Sequence, residues 1–142
     1  MKIIKLKNNS ITTKELTIIS NILEKGGLVV LPTDTSYMLA ANALDSGALE
    51  KLFLAKNRNF SQPVSLCFPD IKMAMQYAYF TPLAKRVAAK FLPGALTIVL
   101  PSKILFSAMV VKNGKIGIRI PATRVTLEIV RKFGRKRQDA LK

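Results

Sequence analysis

Residues 28–43, LVVLPTDTSYMLAANA, place polar side chains directly after a stretch that has the character of a buried strand. Residues 28–31 are all Leu or Val, which is typical of a strand covered on both faces. Thr33, Asp34 and Thr35 follow after one proline. Polar groups at the end of such a strand are common ligand-binding positions in α/β proteins. Pro, Asp and Thr together also form simple turns, and this stretch alone favours the turn.

The composition of the 142-residue chain predicts one folded domain with a sizeable core. Hydrophobic residues make up 49% of it, and no apolar run approaches the ~20 residues that cross a bilayer. The N-terminus, MKIIKLKNNS, intersperses charges among its apolar residues, which argues against a signal peptide. A single cysteine, Cys67, is typical of a reducing compartment. We therefore expect a cytoplasmic protein without membrane contact.

Histidine is absent from the sequence, which limits the chemistry that the chain can perform. Mechanisms built on Ser-His-Asp or Cys-His are excluded, and so are the usual zinc sites. Any catalysis must use Lys, Arg, acidic side chains, hydroxyls, backbone groups or a hard ion such as magnesium. The sequence assigns neither a catalytic residue nor a metal ligand.

The net charge of +15 is concentrated in the second half of the chain. Residues 71–142 contain fifteen Lys or Arg and two acidic residues, whereas residues 1–70 contain eight and six. This excess of positive charge in the second half indicates a polyanionic partner such as a nucleotide or RNA. A cationic surface that binds no partner would have the same composition. The aromatic residues form no interleaved stripe of the kind that reads RNA sequence.

Helices and strands alternate along the chain, which predicts an α/β fold around a twisted sheet. Strands are predicted at IIKL, at 28–31, within 36–43, and at PVSLCF, ALTIVLP and KIGIRIP. Helices are predicted in TTKELTIISNILEKGG with Thr12 or Thr13 as cap, and in SGALEKLFLAKNR, DIKMAMQYA, TPLAKRVAAKF and TRVTLEIVRKFG. One domain over residues 1–134 is expected, followed by a basic tail at 135–142.

The sequence contains no Walker loop and no G-x-G-x-x-G motif. Any binding or catalysis must therefore depend on residues scattered along the chain. These are PTDT, Lys56, Arg58, Thr97 and Arg119. Lys56 ends a predicted helix, where the helix dipole favours a cation without any function. Arg119 alternates with isoleucines in a predicted strand. It needs an anionic partner if its face is enclosed, and it is a simple strand charge if that face is open.

Four ordered stretches are more specific than any of these residues alone: KGGLVVLPTDTSYMLAANA, KNRNFSQP, FLPGALTIVLP and IGIRIP. They resemble the motifs PT-[DE]-T-x-Y-G-L, K-x-R-P, PGP-x-T and V-x-[VI]-R-x-P of the YrdC family of threonylcarbamoyl-AMP synthases. The resemblance spans about residues 20–133. It favours a binding site at PTDT over a simple turn.

The resemblance implies a YrdC-like α/β fold, with a twisted, largely parallel sheet flanked by helices around a basic central cavity. It implies a nucleotidyltransferase that converts L-threonine, bicarbonate and ATP, with Mg²⁺, to threonylcarbamoyl-AMP and pyrophosphate. That product serves the threonylcarbamoyladenosine modification of tRNA through a downstream threonylcarbamoyl transferase. The basic second half adds tRNA or double-stranded RNA as an expected contact.

The resemblance also implies roles for individual residues. The residues implied to contact threonine are Thr35, Cys67 and Arg119. The residues implied to bind the nucleotide are Lys56, Arg58, Gln62 and Lys115. Cys67 stands where some members of the family have a histidine, which weakens that contact.

The sequence departs from the family's motifs at several positions. Met38 and Ala40 replace two glycines of the family, and their side chains narrow the pocket or fill the core. After TLEIVRKFG the family continues into a strand and an S-x-S-A-N segment, whereas this sequence reads RKRQDALK. We therefore expect an exposed sheet edge, which a homodimer would cover. The alternative function is a catalytically degenerate protein of this fold that binds nucleotide or RNA without turnover.

Overall fold

The computed structural model describes the backbone of residues 1–140 and the side chains of residues 1–135. Over these residues the elements follow in the order α1 Thr13–Glu24, β1 Val29–Pro32, β2 Tyr37–Ala40, α2 Ser46–Ala55, β3 Leu66–Cys67, α3 Ile71–Ala74, α4 Pro82–Phe91, β4 Ile98–Pro101, β5 Val111–Lys112, β6 Lys115–Arg119 and α5 Arg124–Ala140. Helices and strands alternate as the sequence predicts. No helix in the described part of the chain combines the length and the apolar character needed to cross a membrane.

Capping residues determine where the helices begin. Thr12 caps α1 in a capping box: its side chain accepts a hydrogen bond from the Glu15 N–H, and the Glu15 carboxylate accepts one from the Thr12 N–H at 2.8 Å. The hydrogen bond from the Thr12 backbone N–H makes the largest contribution to lowering the pKa of Glu15. The hydrogen bond from the Thr12 side chain makes the next largest. Thr81 caps α4, which has Pro82 in its first turn. Both caps lie where the sequence predicts them.

We expect Thr12→Ala to lower the free energy of unfolding by about 1 kcal/mol, because the N–H of the first turn loses its acceptor. Urea titration measures the change, and Thr13→Ala, one residue inside the helix, is the matched control. Because the pKa of Glu15 is lowered in the folded chain, the contribution of its carboxylate to the stability of the fold is present above the ordinary pKa of a glutamate. That contribution is lost as the pH falls through the lowered value. Equal losses of unfolding free energy in Thr12→Ala and Thr13→Ala would contradict the role of Thr12 as the cap.

The strands form two sheets. β1 and β2 make an antiparallel hairpin in which Val29 lies opposite Ala40. The second sheet has the order β3–β6–β4, and β5 also pairs with β6. The β3–β6 pair is parallel, whereas β4 and β5 are antiparallel to β6. The sheet is therefore mixed where a largely parallel one was predicted. The connections at 33–36 and 113–114 are far too short for the crossover that parallel neighbours require.

Two hydrophobic clusters correspond to the two sheets. The larger cluster includes the fully buried Ile116 and Ile118 of β6. The smaller one joins β1 to α1 and α5 through Leu31, Leu23 and Ile129. Because side chains alternate along a strand, the odd-numbered residues of β6 face the opposite side from its isoleucines. The candidate site lies on that side.

Predictions near the two ends of the chain differ from the structure. The prediction of a strand at IIKL is wrong: within the described residues this segment pairs with no strand, and Ile4 and Leu6 pack on the smaller hydrophobic cluster instead. α5 continues to Ala140, past the Gly134 at which the helix was predicted to end. Lys and Arg, which dominate this stretch, are good helix formers. For the predicted basic tail, the side chains of 136–142 lie outside the described residues.

Candidate functional site

The PTDT loop between β1 and β2 is held by its own side chains and by two distant segments. Thr33 Oγ1 accepts a hydrogen bond from the N–H three residues on, at 3.1 Å. Asp34 Oδ1 accepts one from the Ala122 N–H, just beyond β6, at 3.3 Å. The buried hydroxyl of Thr126 in α5 donates to the Pro32 carbonyl. The loop is thus a turn, as its composition favours, and it is also fixed against β6 and α5.

This fixed loop brings Thr35 to Arg119. Nη2 of Arg119 donates a long hydrogen bond to Thr35 Oγ1 at 3.4 Å, between residues 84 positions apart. Cys67 lies beside Arg119 in the parallel β3–β6 pair. Among the described side chains, the half-buried guanidinium of Arg119 has no acidic partner. The three residues implied to contact threonine therefore converge on one point.

The Cys67 thiol is strongly held in its neutral form. Burial raises the pKa of Cys67 to about 12, and the Arg119 guanidinium opposes this shift with a smaller effect. A thiol with so high a pKa is a weak nucleophile at neutral pH. Cys67 therefore leaves the positive charge of Arg119 uncompensated.

We expect iodoacetamide to alkylate Cys67 in the folded chain at least about a hundredfold more slowly at pH 8 than in the urea-unfolded chain, because the thiolate is the reactive form. The rate in the folded chain should keep rising with pH up to pH 11, since the pKa is raised to about 12. An ordinary thiol reaches its plateau about one unit above its pKa of ~8.5. A plateau near pH 9.5 in the folded chain would contradict the neutral state of Cys67.

A cavity of about 410 Å³ lies next to Cys67 and Arg119 and is bordered by both sheets. Four of the seven predicted site residues line it, namely Lys56, Arg58, Cys67 and Arg119. Thr97, which the sequence also singled out, lies in the same lining. Most of the remaining lining side chains are apolar. The predicted basic cavity is therefore cationic at these positions and hydrophobic elsewhere.

Arg58 and Gln62 are engaged in fixing a loop. Arg58 Nε donates to the Gln62 carbonyl at 2.8 Å, and its Nη2 donates to the Pro63 carbonyl at 3.0 Å. The guanidinium also lies 5.9 Å from the centre of the Phe53 ring. Gln62 itself is exposed. The Arg58 side chain thus fixes the segment 59–63, to which Gln62 contributes its backbone carbonyl, and the motif gave no means to predict this role.

Lys115 lies in a neighbouring groove of about 340 Å³. This groove shares residues 63–65 with the first cavity. Lys115 and Arg119 extend from the same face of β6, with Gly117 between them. A Cβ at Gly117 would lie only 2.8 Å from the Ser65 hydroxyl oxygen. The absence of a side chain at Gly117 therefore lets Ser65 pack closely against β6 between the two cations.

Asn42 is a residue of this region that the sequence reasoning missed. It lines the first cavity and is 2% exposed. Its Oδ1 accepts a hydrogen bond from the Leu44 N–H at 3.1 Å, whereas its Nδ2 has no partner among the described residues. An unsatisfied buried donor costs about 1–3 kcal/mol, so this amide indicates a missing partner. Nothing in the sequence distinguishes it from an ordinary turn asparagine.

Comparison with known proteins places the chain among relatives that are longer than it is. A model of the Sua5/YciO/YrdC family, described as telomere recombination, matches residues 21–136. The chain is 39% identical over 130 residues to a Methanocaldococcus jannaschii protein provisionally named threonylcarbamoyl-AMP synthase. It is 30% identical over 118 residues to the threonylcarbamoyl-AMP synthase of Pyrococcus abyssi. These alignments cover 90% and 82% of this chain but 62% and 35% of those relatives, so the chain spans less than two thirds of either.

Solved structures share the fold. The structure of P. abyssi Sua5 complexed with L-threonine matches with a TM-score of 0.79 at 28% identity, over 88% of this chain and 37% of that one. E. coli YciO matches with a TM-score of 0.80 at 22% identity, over 88% and 62% of the two chains, which shows the fold alone. The predicted YrdC-like α/β class is confirmed. The family model matches residues 21–136, which are most of the chain. The chain therefore belongs to the Sua5/YciO/YrdC family.

Proposed function

We propose that this chain converts L-threonine, bicarbonate and ATP to threonylcarbamoyl-AMP and pyrophosphate. The observation that carries the proposal is the convergence of Thr35, Cys67 and Arg119 at one end of the cavity. Relatives named threonylcarbamoyl-AMP synthase support a transferase in this family that acts in tRNA modification. The product would then pass to a transferase that modifies tRNA.

Arg119 is proposed to bind the carboxylate of L-threonine. A guanidinium presents two parallel N–H groups that match the two oxygens of a carboxylate. In the structure its Nη2 makes a hydrogen bond of 3.4 Å to the Thr35 hydroxyl, a weak contact that a carboxylate would improve on. The neutral Cys67 thiol beside it leaves the charge available. The L-threonine bound to P. abyssi Sua5 supports this class of ligand.

The proposed reaction proceeds in two balanced steps. The amine of threonine first attacks the carbon of bicarbonate, and a carbamate and water are formed. A carbamate oxygen then attacks the α-phosphorus of ATP and displaces pyrophosphate. Both steps depend on holding the reactants together and on positive charge near the phosphates, which Lys and Arg supply without histidine.

Lys56 and Lys115 are proposed to bind the ATP phosphates, one from each of the two adjoining spaces. Arg58 and Gln62 are proposed to contact the nucleotide from the loop that the Arg58 side chain fixes. Mg²⁺ is proposed to enter with ATP, because this ion is commonly held by substrate phosphates and one or two carboxylates. Within residues 1–135, no three His, Cys, Asp or Glu side chains are grouped to hold a metal ion.

We expect Gly117→Val to weaken the binding of ATP with magnesium about tenfold or more, because the new side chain would displace Ser65 and Thr97, which line both the cavity and the groove beside Lys115. Isothermal calorimetry measures the affinity, and circular dichroism checks the fold. Gly47→Ala is the control, since a Cβ there meets only the Asp45 carboxylate, at 3.4 Å. Unchanged affinity in the valine variant would exclude the groove beside Lys115 from the nucleotide site.

Pyrophosphate release tests the proposed function. The purified chain is supplied with ATP, magnesium and bicarbonate, with and without L-threonine. The proposal predicts release that depends on threonine. ATP binding without release, or the same release with and without threonine, would refute it.

A further inference from the structure

One face of β6 connects the region proposed for threonine to the region proposed for the ATP phosphates. Lys115, Gly117 and Arg119 alternate with the buried Ile116 and Ile118, so all three lie on the face of the candidate site. Because a strand rises about 3.3 Å per residue, Gly117 lies about 7 Å along β6 from each of the two cations. The surface between the cations is therefore left to side chains from the neighbouring strands.

Two hydroxyl groups occupy this surface. Ser65 directly precedes β3 and Thr97 directly precedes β4, on opposite sides of β6. A Cβ at Gly117 would lie 2.8 Å from Ser65 Oγ and 3.3 Å from Thr97 Cγ2, so both side chains pack beside the glycine. Ser65 and Thr97 each line the cavity next to Arg119 and also the groove next to Lys115. The two residues thus lie where the two spaces meet.

The surroundings of the two hydroxyls suit a small anion. Among residues 1–135, no acidic side chain lines either space. Arg119 lies on one side of the hydroxyls and Lys115 on the other. Neither hydroxyl has a hydrogen-bond partner in the described part of the chain, so both can donate to a ligand. Pro63 and Val64 also line both spaces, but their side chains are apolar.

The proposed reaction requires its reactants in the order that this face provides. The carboxylate of threonine is placed at Arg119, and its amine is bonded to the neighbouring carbon. The ATP phosphates are placed at Lys115. Bicarbonate is attacked by the amine, and the carbamate then attacks the α-phosphorus, so reacting atoms must approach to about 3–3.5 Å on both sides of it. The site for bicarbonate must therefore lie between Arg119 and Lys115.

We propose that Ser65 and Thr97 form the binding site for bicarbonate and for the carbamate made from it. Their hydroxyls donate hydrogen bonds to oxygens of the anion, and the two cations stabilise its charge from either side. The amine nitrogen forms the new C–N bond, and the hydroxide of bicarbonate leaves with an amine proton as water. A carbamate oxygen then displaces pyrophosphate from the α-phosphorus. This inference rests on the proposed function and adds the residues that hold bicarbonate.

The first test measures threonylcarbamoyl-AMP formation while bicarbonate is varied in buffer freed of carbon dioxide. Thr97→Val removes one hydroxyl and keeps the branched shape, and Ser65→Ala removes the other. Each variant is expected to lower kcat/KM for bicarbonate about tenfold or more, because a hydrogen bond to an anion is lost. The affinities for threonine and ATP, measured by calorimetry without bicarbonate, should stay within about twofold, because the groups that bind them are intact.

Conservative variants separate this role from a structural one. Thr97→Ser keeps the hydroxyl and is expected to retain kcat/KM for bicarbonate within about threefold. Ser61→Ala is the second control, because Ser61 is an exposed hydroxyl residue of the adjoining loop that lines neither space. Equal kcat/KM for bicarbonate in Thr97→Val and Thr97→Ser would overturn the role of the Thr97 hydroxyl. A parallel loss of affinity for all three substrates would show a structural effect and overturn it as well.

The second test does not require turnover. The line width of the ¹³C-bicarbonate NMR signal is recorded with each form of the chain, in the absence of threonine and ATP. The unaltered chain and Thr97→Ser are expected to broaden the signal, and Thr97→Val and Ser65→Ala to broaden it much less. Equal broadening by all four would overturn the bicarbonate site even if the chain forms product. The expected pattern of broadening in a chain that forms no product would support this site and refute the proposed function alone.

Discussion

Arg119→Ala is expected to lower kcat/KM for threonine-dependent pyrophosphate release by about a hundredfold or more, because removing one partner of a charge-assisted contact costs about 2–5 kcal/mol. Loss of the guanidinium takes away both the charge and the paired N–H groups that a carboxylate needs. Arg119→Lys keeps the charge but not the pair, so an intermediate loss is expected. Threonine binding should weaken in both variants, measured by calorimetry with a nonhydrolysable ATP analogue present.

Lys85→Ala is the control for the loss of one positive charge, because Lys85 is an exposed residue of α4 outside both cavities. Its kinetics should match those of the unaltered chain. Thermal unfolding of each variant verifies that the fold is intact. Unchanged KM and kcat in a folded Arg119→Ala variant would remove Arg119 from the threonine site.

Phe53→Ala is expected to lower the free energy of unfolding by about 3–5 kcal/mol, as is typical when a buried aromatic ring is deleted. Phe53 has no exposed surface, and its ring stacks on that of Phe60 with centres 5.2 Å apart. The Arg58 guanidinium also lies over this ring. The substitution should therefore also loosen segment 59–63, beside which Lys56 reaches the cavity.

The neighbouring residue provides the control for Phe53. Leu54 is 70% exposed on the same helix, so Leu54→Ala should change stability by less than about 0.5 kcal/mol. Urea titration with matched slopes compares the two variants. Equal destabilisation would show that the position of Phe53 in the core is misassigned.

Local features of the fold were predictable because they depend on residues close in sequence. Thr12 and Thr81 cap helices where the pattern places them, and Gly26, with a positive φ of 73°, follows the end of α1. Strand β2 lies inside the predicted segment 36–43. For the two caps and for Gly26, the groups involved lie within four residues of each other, so the sequence contains the whole interaction.

Strand pairing was not predictable in the same way. β5 is two residues long and exists because β6 lies beside it, whereas IIKL has strand character but pairs with no strand among the described residues. The division into two sheets likewise depends on which edges meet in three dimensions. A period of two indicates that a segment can be a strand, but not which strand it joins or in which direction.

The candidate site shows the same division between local and distant information. The contact of Thr35 with Arg119 crosses 84 positions, and only the ordered motifs indicated that the two belong together. The hydrogen bonds of Arg58 to backbone carbonyls, and the unpaired amide of Asn42, have no counterpart in a motif because they depend on burial. Side-chain type therefore identified candidates, and the packing of the chain determined what each one contacts.

Mass spectrometry of the nucleotide products determines whether this chain joins threonine, bicarbonate and ATP in one product, as proposed. The purified chain is incubated with ¹³C-bicarbonate, L-threonine, ATP and magnesium. We expect a threonylcarbamoyl-AMP ion that carries the ¹³C label and disappears when either threonine or bicarbonate is omitted. Nucleotide products that contain neither threonine nor the label, from a chain that still binds ATP, would contradict it.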